Sequence, residues 1–274
     1  LSKTFRKHSL NFMKLNPDKH FSISQETLSV VLDKYGIKDF TFGFINEGIE
    51  NSSAWIESGS KKFVLRVYSQ GKSDENILRE LSFQDFLRER HIPIPVVHKN
   101  EASQELTVIE KDGEIWQAIL MDFVEGSSIT AKPSSELITE LATYHAKMHL
   151  LGMEYAQKND VPKALWTELR EGHAHKIENT TVGGQEVQDL IRRIKAYHYP
   201  LPSNLPYGYN HLDIDFDGNV IIKDGHVSGI IDFDDLKYSP LIVCLGFTLM
   251  SILNDEGEEV MRAYLKAYEK VRPL

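Results

Sequence analysis

Between Ser24 and Ile37 apolar residues recur at helical spacing: Leu28, Val31 and Leu32 follow a Ser24 cap in SISQETLSVVLDKYGI, which predicts a short helix. The period then changes. FTFGFINEG, SSAWIES, KKFVLRVYS and LTVIEKDGEIWQAILMDFV alternate or run apolar between Gly, Ser and Asp-Gly breaks, the pattern of a five-stranded antiparallel sheet. One helix interrupts it, SDENILRELSFQDFLRER, with Ser73 or Asp74 as cap and apolar positions at 77, 78, 81, 83, 86 and 87. HIPIPVVH follows as an extended, proline-bounded connection. Past VEGSSI the pattern is helical, in SSELITELATYHAKMHLLGM, ALWTELREGHAHKI, GGQEVQDLIRRIKAYH and GEEVMRAYLKAYEKV. The fold class expected is therefore α+β, with a small antiparallel-sheet lobe, a short connector and a larger, mainly helical lobe carrying one embedded hairpin.

Boundaries follow from the same pattern. Residues 1–22, which open with the basic, aperiodic LSKTFRKHSLNF, are expected to be a leader or extension; residues 23–121 form the sheet lobe, 122–126 the hinge and 127–274 the helical lobe. A crevice between two such lobes is a usual ligand site. The 274 residues carry 31 Lys and Arg against 40 Asp and Glu, a formal charge of −9 with no basic run, so a small-molecule partner is expected and a nucleic-acid surface is not. The apolar run Pro240 to Leu253 is too short and too interrupted to span a bilayer, and no membrane association is expected; a cytoplasmic location is. Cys244, the single cysteine, excludes an internal disulfide and a cysteine-based zinc cluster and reads as a core thiol, with His145 and His149 as structural residues.

The densest chemistry lies in HLDIDFDGNVIIKD, residues 211–224. As a calcium loop it would use Asp213, Asp215 and Asp217 at positions 1, 3 and 5, Gly218 at the turn and Asp224 at position 12. Such a loop needs a helix on each side. YPLPSNLPYGYN precedes it with three prolines, and the exit runs through Asp224-Gly225, a strong two-residue hairpin signal. With that turn, Lys223 should face His226, Ile221 face Ser228, Asn219 face Ile230, and Asp217 face Asp232. Asn219, Asp217 and Asp232 then share one face at the open end of the hairpin, oxygen donors suited to a hard cation.

At this point the pair of motifs HLDIDFDGNVII and VSGIIDFDD resembles the signature of the aminoglycoside phosphotransferase, choline kinase and homoserine kinase group, small-molecule kinases with a protein-kinase-like fold. The likeness covers most of residues 24–274: FINEGIENSSAWIES is similar to the nucleotide-loop hairpin, KKFVLRVY to the third strand, RELSFQDFL to the ion-pair helix, LMDFVEG to the hinge and LATYHAKMHLLG to the first large-lobe helix. The resemblance implies an ATP-dependent (GTP is the alternative), magnesium-requiring O-phosphotransferase acting on a small hydroxylated molecule. Asp213 would be the catalytic aspartate and His211 would brace its loop. Asn219 and Asp232, with Asp217, would hold magnesium; Arg66 would contact phosphates and pair with Glu80. Gly48 and Asn51 would belong to the loop over the phosphates, Met121 to the adenine pocket wall, and backbone groups of Asp122 and Val124 would meet the adenine edge. The family usually places its asparagine five residues after the catalytic aspartate, whereas Asp213 to Asn219 is six, so Asp215 is an alternative to Asp213. Glu47 before Gly48 and a chain short of the family's last helices suggest a second reading, a catalytically inactive nucleotide-binding protein of this fold.

Overall fold

The computed structural model describes residues 21–45, 51–70, 72–129, 132–161, 189, 192, 204–214 and 218–274. Helix α1 (Gln25–Asp33) starts where the Ser24 hydroxyl accepts the Thr27 N–H at 3.1 Å, and it buries Leu28, Val31 and Leu32. Strands β1 (Thr41–Ile45), β2 (Ser52–Ser58) and β3 (Lys61–Val67) form an antiparallel meander, and β5 (Thr107–Lys111) and β6 (Glu114–Asp122) close around Asp112-Gly113, both at positive φ as that tight turn requires. A sixth strand joins them. Val97–His98 (β4), expected as a bare connection, pairs with Met121 and Leu120 of β6. The order is β1-β2-β3-β6-β4, with β5 also on β6. Alternate residues Ala54, Ile56, Leu65, Val67, Ala118 and Leu120 face inward and are buried with α1. Phe21 belongs to this lobe too: it is buried edge-on against Trp116, 5.1 Å between ring centroids, so the lobe starts earlier than the expected residue 23.

Helix α2 (Asp74–Arg88), capped by Ser73, ties the two lobes together. Leu78, expected on its apolar face, is exposed, while Glu80 and Gln84 are buried. Its Phe83 reaches into the core of the other lobe, with ring contacts to Tyr155 (4.9 Å), Tyr209 (5.1 Å) and Phe233 (6.5 Å). A helix that carries Glu80 on one turn and anchors Phe233 by the next fixes the sheet lobe against the segment holding Asp232 and Asp234.

The helical lobe is built on α3 (Ser135–Lys158), which packs against α5 (Glu258–Glu269) and β7 (Tyr207–Asn210). Gly152 permits this approach, because a Cβ there would lie 1.9 Å from the Tyr209 carbonyl oxygen. β7 pairs with β10 (Lys237–Pro240), which leads directly into α4 (Leu241–Asp255); β8 (Val220–Lys223) and β9 (His226–Ile230) form the expected hairpin. Cys244 is buried on α4, as expected of a core thiol. The expected helices ALWTELREGHAHKI and GGQEVQDLIRRIKAYH lie almost entirely outside the described residues. No helix among the described residues is long and apolar enough to cross a membrane.

Candidate active site

β3 alternates side chains between its faces, which buries Leu65 and Val67 and turns Arg66 into the crevice between the lobes. There its Nη2 donates to Asp232 Oδ1 at 2.7 Å and to Asp234 Oδ2 at 2.5 Å. Lys72 stands beside it, donating to Asp234 Oδ1 at 2.7 Å and to Glu80 Oε2 at 2.6 Å. The remaining oxygen of Glu80 accepts from Tyr68 Oη (3.2 Å) and Gln84 Nε2 (3.1 Å), so this buried carboxylate is satisfied on both sides. Asn51 Nδ2 donates to Asp234 while its Oδ1 receives the Ser69 N–H at 3.0 Å, tying the start of β2 to the same carboxylate. The Arg66–Glu80 ion pair expected from the sequence is therefore not the one formed. Glu80 takes Lys72, and Arg66 takes the two aspartates.

Electrostatics follow from this arrangement. Burial would raise the pKa of Asp234, but Arg66, Lys72 and Asn51 outweigh it and hold the carboxyl below the usual carboxylate range. Burial likewise opposes the charge on Arg66, and Asp232 and Asp234 more than restore it. Two cations face three carboxylates here, a balance that leaves room for a cation to join. Arg66 Nε is buried with no acceptor among the described residues.

On the other wall, His211 donates from Nε2 to the Ile231 carbonyl (2.9 Å) and accepts the Asp213 N–H at Nδ1 (3.3 Å), which assigns its tautomer and ties residue 213 to the chain entering Asp232. The His211 ring lies edge-on to Phe233, 4.5 Å between centroids. Leu212 and Asp232 both take the left-handed backbone conformation, at φ 66° and 65°, which aims the residues around them at the cost of strain. Asn219 Nδ2 donates to the Asp213 carboxylate (2.8 Å) and to its carbonyl (2.9 Å). The Asn219 amide nitrogen faces Asp213, with the amide oxygen on the other side of the group.

The hairpin register differs from the expected one. Lys223 faces His226 across Asp224-Gly225, but a bulge at Ser228 shifts the rest, so that Ile221 faces Gly229 and Val220 faces Ile230. The Ile231 N–H then bonds the Asn219 carbonyl at 2.9 Å, and Asn219 sits one residue further along β9 than expected. Asp217 and Asp215 lie outside the described residues, as does Gly48. The calcium-loop reading fails on Asp224: it is at the hairpin tip with φ 52°, separated from Asn219 by the whole of β8, roughly 16 Å along an extended chain.

At the hinge, Asp122 does not offer its N–H, which is bonded to the Val96 carbonyl at 2.9 Å; its carboxylate accepts from His98 Nε2 at 2.6 Å. The Val124 N–H has no hydrogen-bond partner among the described residues. Met121 lies half-buried on β6, three residues before Val124. Gly229 lets Val124 lie close on β9, since a Cβ there would sit 2.6 Å from Val124 Cγ1.

The crevice thus has oxygen donors on one wall, paired cations on the other and an open N–H at the hinge. The model of the phosphotransferase enzyme family matches residues 41–274. The chain belongs to that family. It is a small-molecule kinase of two-lobed, protein-kinase-like fold. A homoserine kinase of Gluconobacter oxydans (strain 621H) is 26% identical over 261 residues, covering 92% of this chain and 80% of that protein. A homoserine kinase of Parvibaculum lavamentivorans is 26% identical over 259 residues, covering 92% and 78%. Among solved structures, an amicoumacin kinase in complex with AMP-PNP, Ca2+ and Ami superposes with a TM-score of 0.70 at 17% identity over 100% of this chain and 81% of that one. A microcompartment-associated aminopropanol kinase does so with a TM-score of 0.69 at 19% identity, over 92% and 82%.

Two residues of this crevice escaped sequence reasoning. Neither Asp234 nor Lys72 receives a role from the sequence pattern. The spacing of Asp232 and Asp234 in DFDD is i, i+2, and that is a signal for a shared face only if the segment is extended; the left-handed turn at Asp232 made the pairing unreadable from spacing alone.

Proposed function

We propose that this phosphotransferase is ATP-dependent and magnesium-requiring and transfers a phosphoryl group to the hydroxyl of a small, amine-bearing molecule. The observation that carries this reading is the convergence of Asp213, held by Asn219, with Asp232 opposite the Arg66–Lys72 pair. Asp213 accepts the proton of the acceptor hydroxyl and orients its oxygen toward the phosphorus. His211 braces Asp213 by fixing its backbone N–H. Asn219 Oδ1 and the carboxylate of Asp232 would hold the metal, with Asp217 as a further donor; their oxygens suit a hard cation, and three carboxylates facing two cations favour its binding. Bound magnesium supplies the charge that offsets the phosphate oxygens during transfer.

Arg66 and Lys72 stabilise phosphate oxygens, for which the buried Arg66 Nε–H without an acceptor is fitting, while Glu80 positions Lys72. Asn51 and Gly48 border the phosphates. Val124 donates its backbone N–H to the purine, and Met121 lines the pocket beside it. The hinge spans 122–126, between a sheet lobe that ends at 121 and a helical lobe that begins at 127. An amine on the acceptor is supported by the sequence relatives, which are homoserine kinases, and by the acidic surroundings of Asp213.

The test is a transfer screen with ATP and magnesium against homoserine, amino alcohols, aminoglycosides and neutral sugars. Turnover of an amine-bearing acceptor is expected, and turnover of neutral sugars alone would overturn the acceptor assignment.

A further inference from the structure

Behind Asp213, and separate from the crevice, the structure gathers three buried groups that phosphoryl transfer does not use. His145 and His149, one turn apart on α3, bring their Nε2 atoms within 3.0 Å of each other, and the Cys244 thiol of α4 lies 3.4 Å from His145 Nε2. No two of these ligand atoms are more than 4.8 Å apart, and all three residues are buried. We propose that His145, His149 and Cys244 form a three-coordinate site for a soft monovalent cation, copper(I).

Four physical features favour it. First, the atoms are of the right kind, because thiolate and imidazole together select soft or borderline metals. Second, the spacing is near that of a bound ion: bonds of about 2.0 Å to nitrogen and about 2.3 Å to sulfur put ligand atoms roughly 3.3–3.7 Å apart, so the 3.0 and 3.4 Å separations would open by a few tenths of an ångström and the third, within 4.8 Å, would close by about 1 Å. Third, each ring is aimed from outside. His145 Nδ1 contacts Tyr264 Oη at 2.9 Å and His149 Nδ1 contacts Tyr268 Oη at 2.6 Å, the outer hydrogen bonds that fix the tautomer of a metal-binding histidine. Burial pushes the pKa of His145 down to about 3 and that of His149 well below the usual value, so neither ring is held as an imidazolium.

The fourth feature selects the charge. Binding displaces the thiol proton, Cys–SH + Cu⁺ → Cys–S–Cu + H⁺, with the proton passing to solvent and no change of oxidation state. A monovalent ion with one thiolate is neutral. A divalent ion would leave a net positive charge buried near Arg272, whose Nη1 donates to Tyr268 Oη at 3.2 Å. Burial raises the free thiol's pKa to about 12, so the metal itself must drive its ionisation; the Leu212 N–H facing the sulfur favours the thiolate. Leu212 precedes Asp213, so the site contacts the strained residue that aims the carboxylate.

The proposal stands apart from the transfer reading and is tested without turnover. The full chain is titrated anaerobically with copper(I) in competition with a chromophoric copper(I) chelator, and X-ray absorption reads the ligands. Wild type is expected to retain one equivalent, with one Cu–S and two Cu–N contacts. Cys244→Ser should lose that equivalent, Tyr268→Phe should weaken it about 10- to 100-fold, and His226→Ala, an exposed control, should leave it unchanged. Retention by folded Cys244→Ser equal to wild type, absence of a Cu–S contact, or thermal stabilisation by zinc but not by silver(I) would each overturn the proposal.

Discussion

Arg66 Nη2 and Asp232 Oδ1 meet at 2.7 Å across the crevice, joining a strand of the sheet lobe to the strained residue that follows the hairpin of the helical lobe. In this arrangement the cation proposed for phosphates is paired with a carboxylate proposed for magnesium. Arg66→Ala is expected to lower kcat/KM by about 10²–10³, the usual cost of removing one donor aimed at developing charge, and to raise the KM for ATP. Steady-state kinetics over a range of ATP concentrations check this, and wild-type values would remove Arg66 from the phosphate site.

Lys72, rather than Arg66, is the partner of Glu80. A double-mutant cycle on nucleotide affinity, using Lys72→Met and Glu80→Gln, is expected to give a coupling of about 0.5–3 kcal/mol, whereas Arg66→Met with Glu80→Gln should give a smaller one. Equal couplings in the two cycles would restore the pairing that the sequence suggested.

The hinge gives a narrower expectation. Val124→Pro removes the one N–H assigned to the purine, and the loss of a single hydrogen bond of about 0.5–1.5 kcal/mol corresponds to roughly a 2- to 10-fold weaker affinity for ATP. Isothermal titration with a non-hydrolysable ATP analogue measures it. The affinity for inorganic triphosphate, which has no purine, should not change.

Acid stability follows from the buried histidines. In the folded chain His145 is held neutral with a pKa pushed down to about 3, and His149 is shifted the same way, against about 6.5 when unfolded. Their folded values are depressed, so the unfolded state binds more protons as pH falls, and stability present above about 6.5 is lost below it. The slope is about 1.4 kcal/mol per pH unit for each histidine. Asp234, whose folded pKa is lowered, adds its own loss only at still lower pH, below the ordinary carboxylate value. Urea unfolding from pH 7.5 to 4.5 should therefore show a fall beginning near 6.5 that His149→Gln reduces; a flat profile would contradict the buried, neutral pair.

Much of this architecture was legible in sequence because each element carries a local signal. The Asp-Gly turns at 112–113 and 224–225, the serine caps at 24 and 73, and the period change at VEGSSI each place an element where it is found. Legibility failed where a single residue breaks the period. The bulge at Ser228 moved Asn219 one position along β9, and positive φ at Asp232 redirected DFDD, so strand spacing could not reveal Asp234 as the partner of Arg66 and Lys72. Val97–His98 pairs with β6 over two residues only, and its side-chain tie, His98 Nε2 to the Asp122 carboxylate at 2.6 Å, spans 24 residues of sequence, so no local pattern announces it. Likewise, His145 and His149 showed a one-turn spacing, but only packing of α4 brings Cys244 to them.

The central claim rests on Asp213, whose carboxylate receives Asn219 Nδ2 at 2.8 Å. Its most direct measurement is the rate of γ-phosphoryl transfer from radiolabelled ATP to the preferred acceptor, with magnesium, for wild type and Asp213→Ala, alongside nucleotide affinity for both. The account predicts a fall in kcat of about 10²–10⁴ with nucleotide affinity little changed. Transfer by Asp213→Ala at the wild-type rate would contradict it.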